Sequence, residues 1–463
     1  MYAEDAKDDQ NNLPRKKLNQ YTFEELQDCA DNEFKNLNAA KLSRTAPYEV
    51  GSLLERLSPE DRQKVLRKLS EEGASEVLAE MNAEDSAEII SEMRDSRAIK
   101  ILQALEPDDA ADLLRELSEE DRGRLLAKLP AESARVLHDL LAYDRDTAGG
   151  VMTPYVTYVH DDMTCDEAIK YLRKCQNDAE NVESIYVVDN TKHLVGVLSI
   201  NKLLWASPDK KISDVMCKTV EGVCTVEQDK ESVAQTMTQL HYNTLPVIDS
   251  QGCLIGIITH DDVIDIIQEE ATEDIQKLHG AGGDETIHDG VLYSVIRRVP
   301  WLVINLIIAF LAARVISLFE DKIARITILA VFMNLISSLS GNSGAQTLAV
   351  AIRSFALGEF HTRDAAGILF RELIKGCVNG IVVGFIAGIV AGIWTKSSMV
   401  GVVIWVSMVL NMTLSGLVGA FIPMFLSKIK CDPAQSSYIF LTTVTDIVGT
   451  FIFLSIGSNL LLK

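Results

Sequence analysis

At 463 residues the chain has room for several domains, and its 66 acidic against 44 basic residues give a formal net charge of −22. This balance disfavours nucleic acid as a partner, because phosphates attract basic surfaces, and it favours cations. Residues 291–463 carry 7 acidic and 13 basic residues, whereas residues 1–290 carry 59 and 31, so we expect an acidic soluble body followed by a membrane body.

Cysteine, histidine and motif usage disfavour further classes. The eight cysteines contain no C-x-x-C pair and the histidines show no zinc-type spacing, which favours reduced thiols in a cytosolic setting. We find no nucleophile–base pair or phosphate loop in the sequence, so an enzyme is the least favoured class. The opening MYAEDAKDDQNNLPRKK lacks an apolar h-region, so we expect the membrane helices to direct their own insertion.

The first 145 residues divide into a polar leader and a repeat. Residues 1–45 show little periodicity, which predicts a disordered leader. Over residues 46–145 an apolar residue recurs every twelve positions, at Leu57, Leu69, Met81, Met93, Leu105, Leu117 and Leu129. Segments such as SPEDRQKV begin with a capping residue and an acidic first turn, which are helix-start signals. Short helices at a fixed period predict an all-α superhelical domain, because one such helix cannot bury its apolar stripe alone.

Residues 146–268 alternate strand-like and helical segments. SIYVVD and LVGVLSI return as TLPVID and LIGIITHDDV sixty residues later. Two β-α units of this form resemble a tandem pair of CBS domains, an α/β fold whose members often bind adenine nucleotides through a Thr and an Asp after the last strand. The second copy keeps Thr259 and Asp262, whereas the first has Ser199 and Lys202. The resemblance therefore implies at most one nucleotide site, for ATP.

Residues 260–290 are predicted to form a connecting helix and a linker to the membrane body. The helix has one apolar stripe, formed by Val263, Ile266, Ile267 and Ile275. Its other face is acidic and carries Asp262, Asp265, Glu270, Glu273 and Asp274. Acidic faces of this kind are often only solvated surface, but carboxylates this close repel one another unless cations intervene.

Five apolar stretches in residues 291–463 are long enough to cross a bilayer as helices. They lie at about residues 299–319, 326–350, 377–395, 399–425 and 438–461. With the soluble body in the cytoplasm, the odd count places the C-terminus outside. Eight basic residues then fall in the cytoplasmic loops and five on the external side, which agrees with this orientation.

One carboxylate, Asp446, lies near the middle of the last stretch, YIFLTTVTDIVGTFIFLSIG. A charge at this depth costs about 3 kcal/mol or more, so such residues usually face a cavity, an ion or a partner. We expect Asp446 to attract a hydrated cation, with the hydroxyls of Thr442, Thr443 and Thr445 solvating the pore. The alternatives are a buried arginine partner or a cap on a broken helix.

Two other membrane motifs each have a packing and a functional interpretation. In SGNSGAQ the small residues permit close helix packing, whereas Asn342 and Gln346, four residues apart, place two amides on one face, where they line or brace a pore. Asn334 and Asn411 are similar residues with less distinctive spacing. Asp432 precedes a proline in CDPA, as at an ordinary helix start, or it attracts ions at the inner mouth of a pore.

Together these motifs resemble the MgtE family of magnesium channels or transporters. The likeness rests on G-N-S-G-x-Q followed by an Arg and A-L-G-E, with YDRDTAGGVMTP, EEATEDIQKL, RRVPWL, DPA and TTVTDIVG in order over about residues 50–463. It implies a homodimer whose fifth helices line the pore. With the residue patterns above, the expected pore residues are Asp446, Asp432, Thr442, Asn342 and Gln346, the two amides as supports of the pore. The regulatory Mg²⁺ ligands that it implies are Asp262, Asp265, Glu270, Glu273, Asp274, Asp108, Asp112 and Glu76.

The expected function is a Mg²⁺-selective channel of the plasma (inner) membrane, with cytoplasmic N-terminal domains, that closes when cytosolic Mg²⁺ binds these acidic interfaces. Its expected partners are a second copy of the chain, the lipid bilayer and divalent cations, but no nucleic acid. An alternative is a carrier that exchanges Mg²⁺, Co²⁺ or Mn²⁺ for Na⁺ or H⁺, which inverted repeats would support. A membrane-tethered sensor is a third possibility, but it leaves Asp446 without a purpose.

Overall fold

The computed structural model describes residue 21 and residues 37–174, 184–281, 283, 285, 290–357, 365–429, 431–434 and 437–461. The chain divides into two compact units, residues 1–264 and 265–463, which are described in turn. Most of the predicted leader lies outside the described residues. Its last part is folded, because Asn38 caps the short helix Ala39–Leu42 and the hydroxyl of Tyr21 accepts a hydrogen bond from the Asn38 backbone.

The N-terminal part of the first unit is the predicted stack of short helices. Their bounds are Pro47–Leu54, Pro59–Leu66, Glu71–Ala79, Ala83–Glu92, Asp95–Ala104, Pro107–Glu116, Glu119–Leu126 and Ala131–Leu141. Side chains of Ser58, Ser70, Asn82 and Ser118 accept the first backbone N–H groups of their helices, as the capping signals predict. Each helix packs on the second one along the chain, which buries repeat positions such as Leu69 and Leu105 and confirms the superhelical domain.

The rest of the first unit contains two small sheets with the same topology. In each, a short strand pairs in parallel with the next, which pairs antiparallel with the third. The strands are Tyr158–His160, Ser184–Val188, Leu194–Ser199, Cys224–Thr225, Thr244–Ile248 and Leu254–Thr259. The associated helices are Ala148–Val151, Cys165–Lys174, Ile200–Trp205, Ile212–Val215 and Lys230–Leu240. The α/β CBS pair predicted from the sixty-residue repeat is confirmed.

Glycines at equivalent positions show how closely the two sheets match. Gly196 pairs with Val187 in the first sheet and Gly256 with Val247 in the second, each just before a shift in register. A side chain on Gly256 would lie 2.8 Å from the sulfur of Met152, and one on Gly196 would lie 2.6 Å from that of Met216. A methionine therefore packs directly on the strand backbone in both copies.

The connecting helix spans His260–Leu278, and the boundary between the two units falls within it, after Ile264. Its apolar stripe is not buried throughout. Val263 and Ile266 are buried, whereas Ile267 and Ile275 are 47% and 70% exposed. The predicted apolar stripe is therefore buried only in part, at Val263 and Ile266.

Among its described residues, the second unit contains five helices that are long and apolar enough to cross a membrane. They are Val291–Ser317, Ile328–Ala356, Ala365–Thr395, Ser398–Lys428 and Ser437–Leu461, and a short helix, Glu320–Arg325, follows the first. All five are longer than the predicted spans, chiefly the third, because an apolar-run criterion stops at charged residues such as Glu372 and Lys375 that the helix includes. In this single chain no residue of the first membrane helix is buried.

The third and fourth membrane helices approach each other through glycines spaced four residues apart. Gly376, Gly380, Gly384 and Gly388 are all buried on one face of the third helix. A side chain on Gly376 would lie 2.5 Å from the carbonyl oxygen of Met412, and one on Gly388 would lie 2.7 Å from that of Gly401. These helices pack backbone to backbone, as small residues allow in membranes. The turn of the fifth helix that carries Asp446 contacts the first, second and fourth membrane helices.

Candidate functional site: a membrane carboxylate and two acidic clusters

The fifth membrane helix changes winding at Asp446. It is α-helical over Ser437–Val444, π-helical over Thr445–Gly449 and α-helical again over Thr450–Leu461. A π-helical turn inserts an extra residue and disturbs the regular backbone hydrogen bonds, and such turns are frequent at functional sites. The ionisable residue of this helix therefore lies on its irregular turn.

The threonine hydroxyls before Asp446 are engaged within their own helix. Thr442 and Thr443 both donate to the carbonyl of Ile439, and Thr445 donates to that of Thr442, at 2.7–3.1 Å. The protons of these hydroxyls are therefore used within the helix, and the expectation that the hydroxyls solvate a pore stays a prediction. Their oxygen lone pairs are still available as acceptors, and back-bonding of this kind bends a helix locally.

Asp446 is half-buried, and its Oδ1 accepts a hydrogen bond from the Ser337 hydroxyl at 2.6 Å. Ser337 belongs to the second membrane helix, so this bond joins two helices. Within the part of the chain that the structure describes, the polar partner of Asp446 is this hydroxyl and not an arginine. The alternative of a buried arginine partner is therefore not supported.

The SGNSGAQ segment has two different faces. Gly341, Ser343 and Gly344 are buried, and a side chain on Gly344 would lie 2.3 Å from the hydroxyl oxygen of Ser415, so one face packs tightly. The opposite face is polar and exposed in the single chain. Its members, each four residues from the next, are Asn334, Ser338, Asn342 and Gln346. We call these four residues the polar stripe. The packing interpretation therefore holds for the first face, and the role of Asn342 and Gln346 in lining or bracing a pore stays a prediction.

Asp432 precedes the fifth helix, which is described from Ser437 onward. Its Oδ1 accepts from the backbone N–H of Ala434 at 2.8 Å, the bond that an N-cap aspartate makes to the second helical residue. Asp432 therefore keeps both interpretations, a helix start and an ion-attracting carboxylate, as predictions. Its Oδ2 lies 3.0 Å from the ammonium nitrogen of Lys277 on the connecting helix.

Lys277 links Asp432 to the acidic residues of its own helix. Its ammonium also lies 2.5 Å from Oε1 of Glu273. Burial alone would lower the pKa of Lys277, but the hydrogen bonds to Glu273 and Asp432 outweigh it and raise the pKa above its usual range. Burial, together with the negative charge of Asp432, raises the pKa of Asp274 to about 6. Of the other predicted ligands on this helix, Asp265 is exposed and Glu270 is half-buried.

A second acidic cluster lies in the first unit, around the start of helix Pro107–Glu116. Asp108 is only 7% exposed, and its Oδ1 has no hydrogen-bond partner within the described residues. Burial raises the pKa of Asp108 well above its ordinary value, and the nearby charges of Asp262, Asp109 and Asp112 raise it further. A buried carboxylate that faces other carboxylates needs a proton or a cation.

The neighbours of Asp108 have partners of their own. Asp262 accepts hydrogen bonds from the backbone and hydroxyl of Thr259, so the two residues predicted for a nucleotide bind each other. Asp112 pairs with Arg115 at 2.6 Å. Glu76 is exposed on helix Glu71–Ala79. Among the described residues, no three His, Cys, Asp or Glu side chains converge closely enough to hold a metal ion.

Sequence reasoning missed three residues that organise these sites. Neither Ser337 nor Lys277 was singled out from the sequence. Arg115 was not singled out, yet it is largely buried and also donates to the carbonyls of Leu140 and Gly150, which ties helix Pro107–Glu116 to the start of the CBS pair. For Lys277 the available signal was its spacing of four residues from Glu273, which favours an ion pair on a helix.

Comparisons with known proteins find matches for the helical N domain, the CBS pair and the membrane helices. The MgtE family, described as divalent cation transporters, matches residues 333–456, and the MgtE intracellular N domain matches residues 45–146. CBS domains match residues 148–209 and 212–269. A helical N domain, a CBS pair and five membrane helices with a carboxylate in the last are the parts of a cation transporter with large soluble domains.

Individual relatives of this chain belong to the same family. The magnesium transporter MgtE of Enterococcus faecalis is 34% identical over 71% of this chain and 72% of its own length, and that of Bacillus subtilis is 31% identical over the same shares. A crystal structure of the cytosolic domain of the Mg²⁺ channel MgtE in complex with ATP covers 53% of this chain and 100% of that one, with 33% identity and a TM-score of 0.50. The chain belongs to the MgtE family of divalent cation transporters and is a multi-pass membrane protein.

Proposed function

We propose that this chain is a Mg²⁺-selective channel of the plasma (inner) membrane, that two copies form the pore, and that cytosolic Mg²⁺ closes it. The observation that carries the proposal is Asp446, a charged residue on an irregular turn of a membrane helix, hydrogen-bonded to Ser337 of the helix that also bears the polar stripe. The magnesium transporters among its relatives support the choice of ion.

The pore chemistry follows from the preferences of Mg²⁺. This ion requires near-octahedral oxygen coordination and gives up its waters reluctantly, so it binds to few carboxylates and keeps most of its water shell. Asp446 would attract the hydrated ion, while the amide oxygens of Asn342 and Gln346 and the hydroxyl oxygen of Thr442 would accept hydrogen bonds from its waters. Weak contact through water allows the ion to leave as readily as it enters.

The polar stripe supports a second copy. Four exposed polar side chains on a membrane helix are costly against lipid, and polar groups within membranes usually face protein or a water-filled cavity. A homodimer that brings two such helices and two fifth helices around a central pathway removes this cost. It also pairs the two Asp446 carboxylates as a divalent-selective ring. We place the N-terminal domains in the cytoplasm and the C-terminus outside, on the distribution of basic residues.

Regulation is assigned to the two acidic clusters. Asp108 fits a cation, because its Oδ1 is buried, without a partner in the described residues and close to other negative charges. Asp112 and Asp262 would share the ion through water, which suits Mg²⁺ better than a fully dehydrated cage. Glu273, Asp274, Asp265 and Glu270 would form the other regulatory site. Asp432, which pairs with Lys277 of the same helix, would attract ions at the inner mouth of the pore. Mg²⁺ closes the channel only if it binds the closed state more tightly than the open one.

ATP binding belongs to the proposal through the CBS pair. Thr259 and Asp262 occupy the position at which such pairs hold a ribose, and the related cytosolic domain that was solved contains ATP. Because Asp262 also accepts from Thr259, a nucleotide would have to share or replace these bonds. Equilibrium dialysis of the full-length protein with ATP should show saturable binding, and its absence at millimolar ATP would remove the nucleotide from this proposal.

The pore assignment is tested by Mg²⁺ influx into liposomes that carry the purified protein and an internal Mg²⁺-sensitive dye. Asp446→Asn keeps the size of the side chain but removes its charge, so we expect influx to fall roughly a hundredfold, equivalent to about 2.7 kcal/mol. Asp321→Asn, an exposed residue of the short helix Glu320–Arg325, is the matched control. Normal influx through Asp446→Asn would contradict the proposal. Single-channel currents would separate a channel from an exchanging carrier.

A further inference from the structure

Hydroxyl side chains in the membrane unit mostly bond to their own helix. Ser340 donates to the carbonyl of Ile336, Ser354 to that of Val350 and Thr413 to that of Val409, each four residues back and at 2.6–3.1 Å. This arrangement is the usual solution for Ser and Thr in an apolar medium, because the hydroxyl is satisfied without a partner helix. A hydroxyl that does not bond to its own helix therefore has an acceptor more favourable than the backbone carbonyl four residues back.

Ser337 is a hydroxyl residue that does not follow this pattern. It lies three residues before Ser340 on the second membrane helix, yet it donates across to Asp446 and not to its own backbone. Its oxygen lies 2.6 Å from Oδ1, which is within the range of hydrogen bonds from a hydroxyl to a charged carboxylate. Bonds of this kind are roughly twice as strong as those between neutral groups, so the carboxylate is oriented as well as stabilised.

The backbone that carries Asp446 is positioned from another side. Gly449, in the same π-helical turn, lies against Asn411 of the fourth helix, and a side chain there would lie 2.6 Å from Oδ1 of Asn411. Asn411 is buried and donates to the carbonyl of Ser407 at 2.8 Å. The fourth helix therefore packs closely on the irregular turn, whereas the carboxylate itself is oriented by Ser337.

We infer that Ser337 is a specificity-determining positioning residue, which occupies one oxygen of Asp446 and leaves the other to meet the water shell of the permeating ion; this inference rests on the pore proposed above. A carboxylate held through one oxygen presents only its other oxygen free of a protein donor, which suits a small ion that keeps its waters. A carboxylate released from Ser337 can present both oxygens. Ca²⁺ accepts bidentate carboxylates and an irregular coordination geometry, whereas Mg²⁺ does not.

The test compares Mg²⁺ and Ca²⁺ influx into liposomes for the full-length protein and its variants. Ser337→Ala should lower Mg²⁺ influx about tenfold, in line with the loss of a hydrogen bond to a charged group. It should also raise the ratio of Ca²⁺ to Mg²⁺ influx several-fold. Ser337→Thr keeps the hydroxyl and should retain the wild-type ratio. Ser354→Ala, which removes a hydroxyl bonded to its own helix, is the matched control and should change neither quantity.

The outcomes separate this inference from the proposed pore. If Asp446→Asn abolishes influx while Ser337→Ala keeps the wild-type ratio, the positioning role is refuted and the pore stands. If Ser337→Ala lowers both influxes equally, Ser337 is only structural and the inference is also refuted. If Asp446→Asn conducts normally, the pore itself is refuted. Should Ser337→Ala not assemble on size-exclusion chromatography, Ser337→Cys, similar in volume but a weak donor, is expected to show the same rise in the ratio.

Discussion

Asp108 in the helical N domain and Asp446 in the last membrane helix are both carboxylates removed from bulk water, but their surroundings differ. Asp446 is half-buried and accepts a hydroxyl hydrogen bond from Ser337. Asp108 is more deeply buried, its Oδ1 has no hydrogen-bond donor among the described residues, and the neighbouring charges are negative. The first carboxylate is stabilised by the protein itself, whereas the second needs something that the described chain does not provide.

This difference matches the two roles proposed for Mg²⁺. A carboxylate in a pore must attract an ion and then release it, so its own stability should depend little on occupancy. A carboxylate in a sensor must do the opposite, since an ion changes a conformational equilibrium only through unequal affinity for the two states. The unsatisfied oxygen of Asp108 makes such unequal affinity possible, because any movement that separates Asp108 from the neighbouring carboxylates relieves the repulsion when no ion is bound.

Among the variants that test this comparison, Asp108→Asn is expected to change the dependence of influx on internal Mg²⁺ the most. The amide removes the buried charge, so the closed arrangement no longer gains as much from a bound cation. We expect the internal Mg²⁺ concentration for half-closure to rise about tenfold, within the usual range of coupling between sites. Influx at low internal Mg²⁺ should stay at the wild-type level. The measurement is liposome influx with internal Mg²⁺ varied.

The control for this variant is Asp209→Asn, an exposed residue of the same unit, which changes net charge equally. A rise in the half-closing concentration for Asp108→Asn alone supports the sensor. An equal shift in both variants would show that closure follows overall charge and would remove Asp108 from the mechanism.

A smaller effect is expected at the cluster around Lys277, whose ammonium group already supplies positive charge. Lys277 lies between Glu273 and Asp432, so Lys277→Met leaves two carboxylates facing each other beside Asp274. At low internal Mg²⁺ this repulsion should loosen the contact between the connecting helix and the turn at Asp432, and influx should rise about threefold. At high Mg²⁺ the divalent ion should replace the ammonium, and closure should be complete.

Lys170→Met is the matched control, because Lys170 forms an exposed i,i+4 ion pair with Asp166 that should contribute little. Unchanged influx at low Mg²⁺ in the Lys277 variant would show that the ammonium does not hold the contact. Failure to close at high Mg²⁺ would instead show that Lys277 cannot be replaced by an ion.

Periodicity predicted much of this fold, and it failed where a contact depends on the rotation of one helix against another. The twelve-residue repeat predicted the burial of Leu69 and Leu105, and the sixty-residue repeat predicted two sheets of identical topology. Asp446 was recognisable because a lone charge in an apolar stretch is rare. Its partner was not, since the choice of Ser337 between its own backbone and Asp446 is set by helix packing. The π-helical turn likewise has no signature in TTVTDIVG.

The smallest effect is expected from Glu76→Gln, which tests whether an exposed carboxylate of the predicted regulatory set also contributes to closure. Glu76 was assigned to the same regulatory set as Asp108 and Asp112, but it is exposed on helix Glu71–Ala79, where water already solvates its charge. Removing an exposed carboxylate usually changes a free energy by less than about 0.5 kcal/mol, so the half-closing Mg²⁺ concentration should shift by less than about twofold. The measurement is the same influx series used for Asp108→Asn. A shift as large as that of Asp108→Asn would mean that exposure does not distinguish sensor residues from surface charge, and that burial of Asp108 is not what couples the ion to closure.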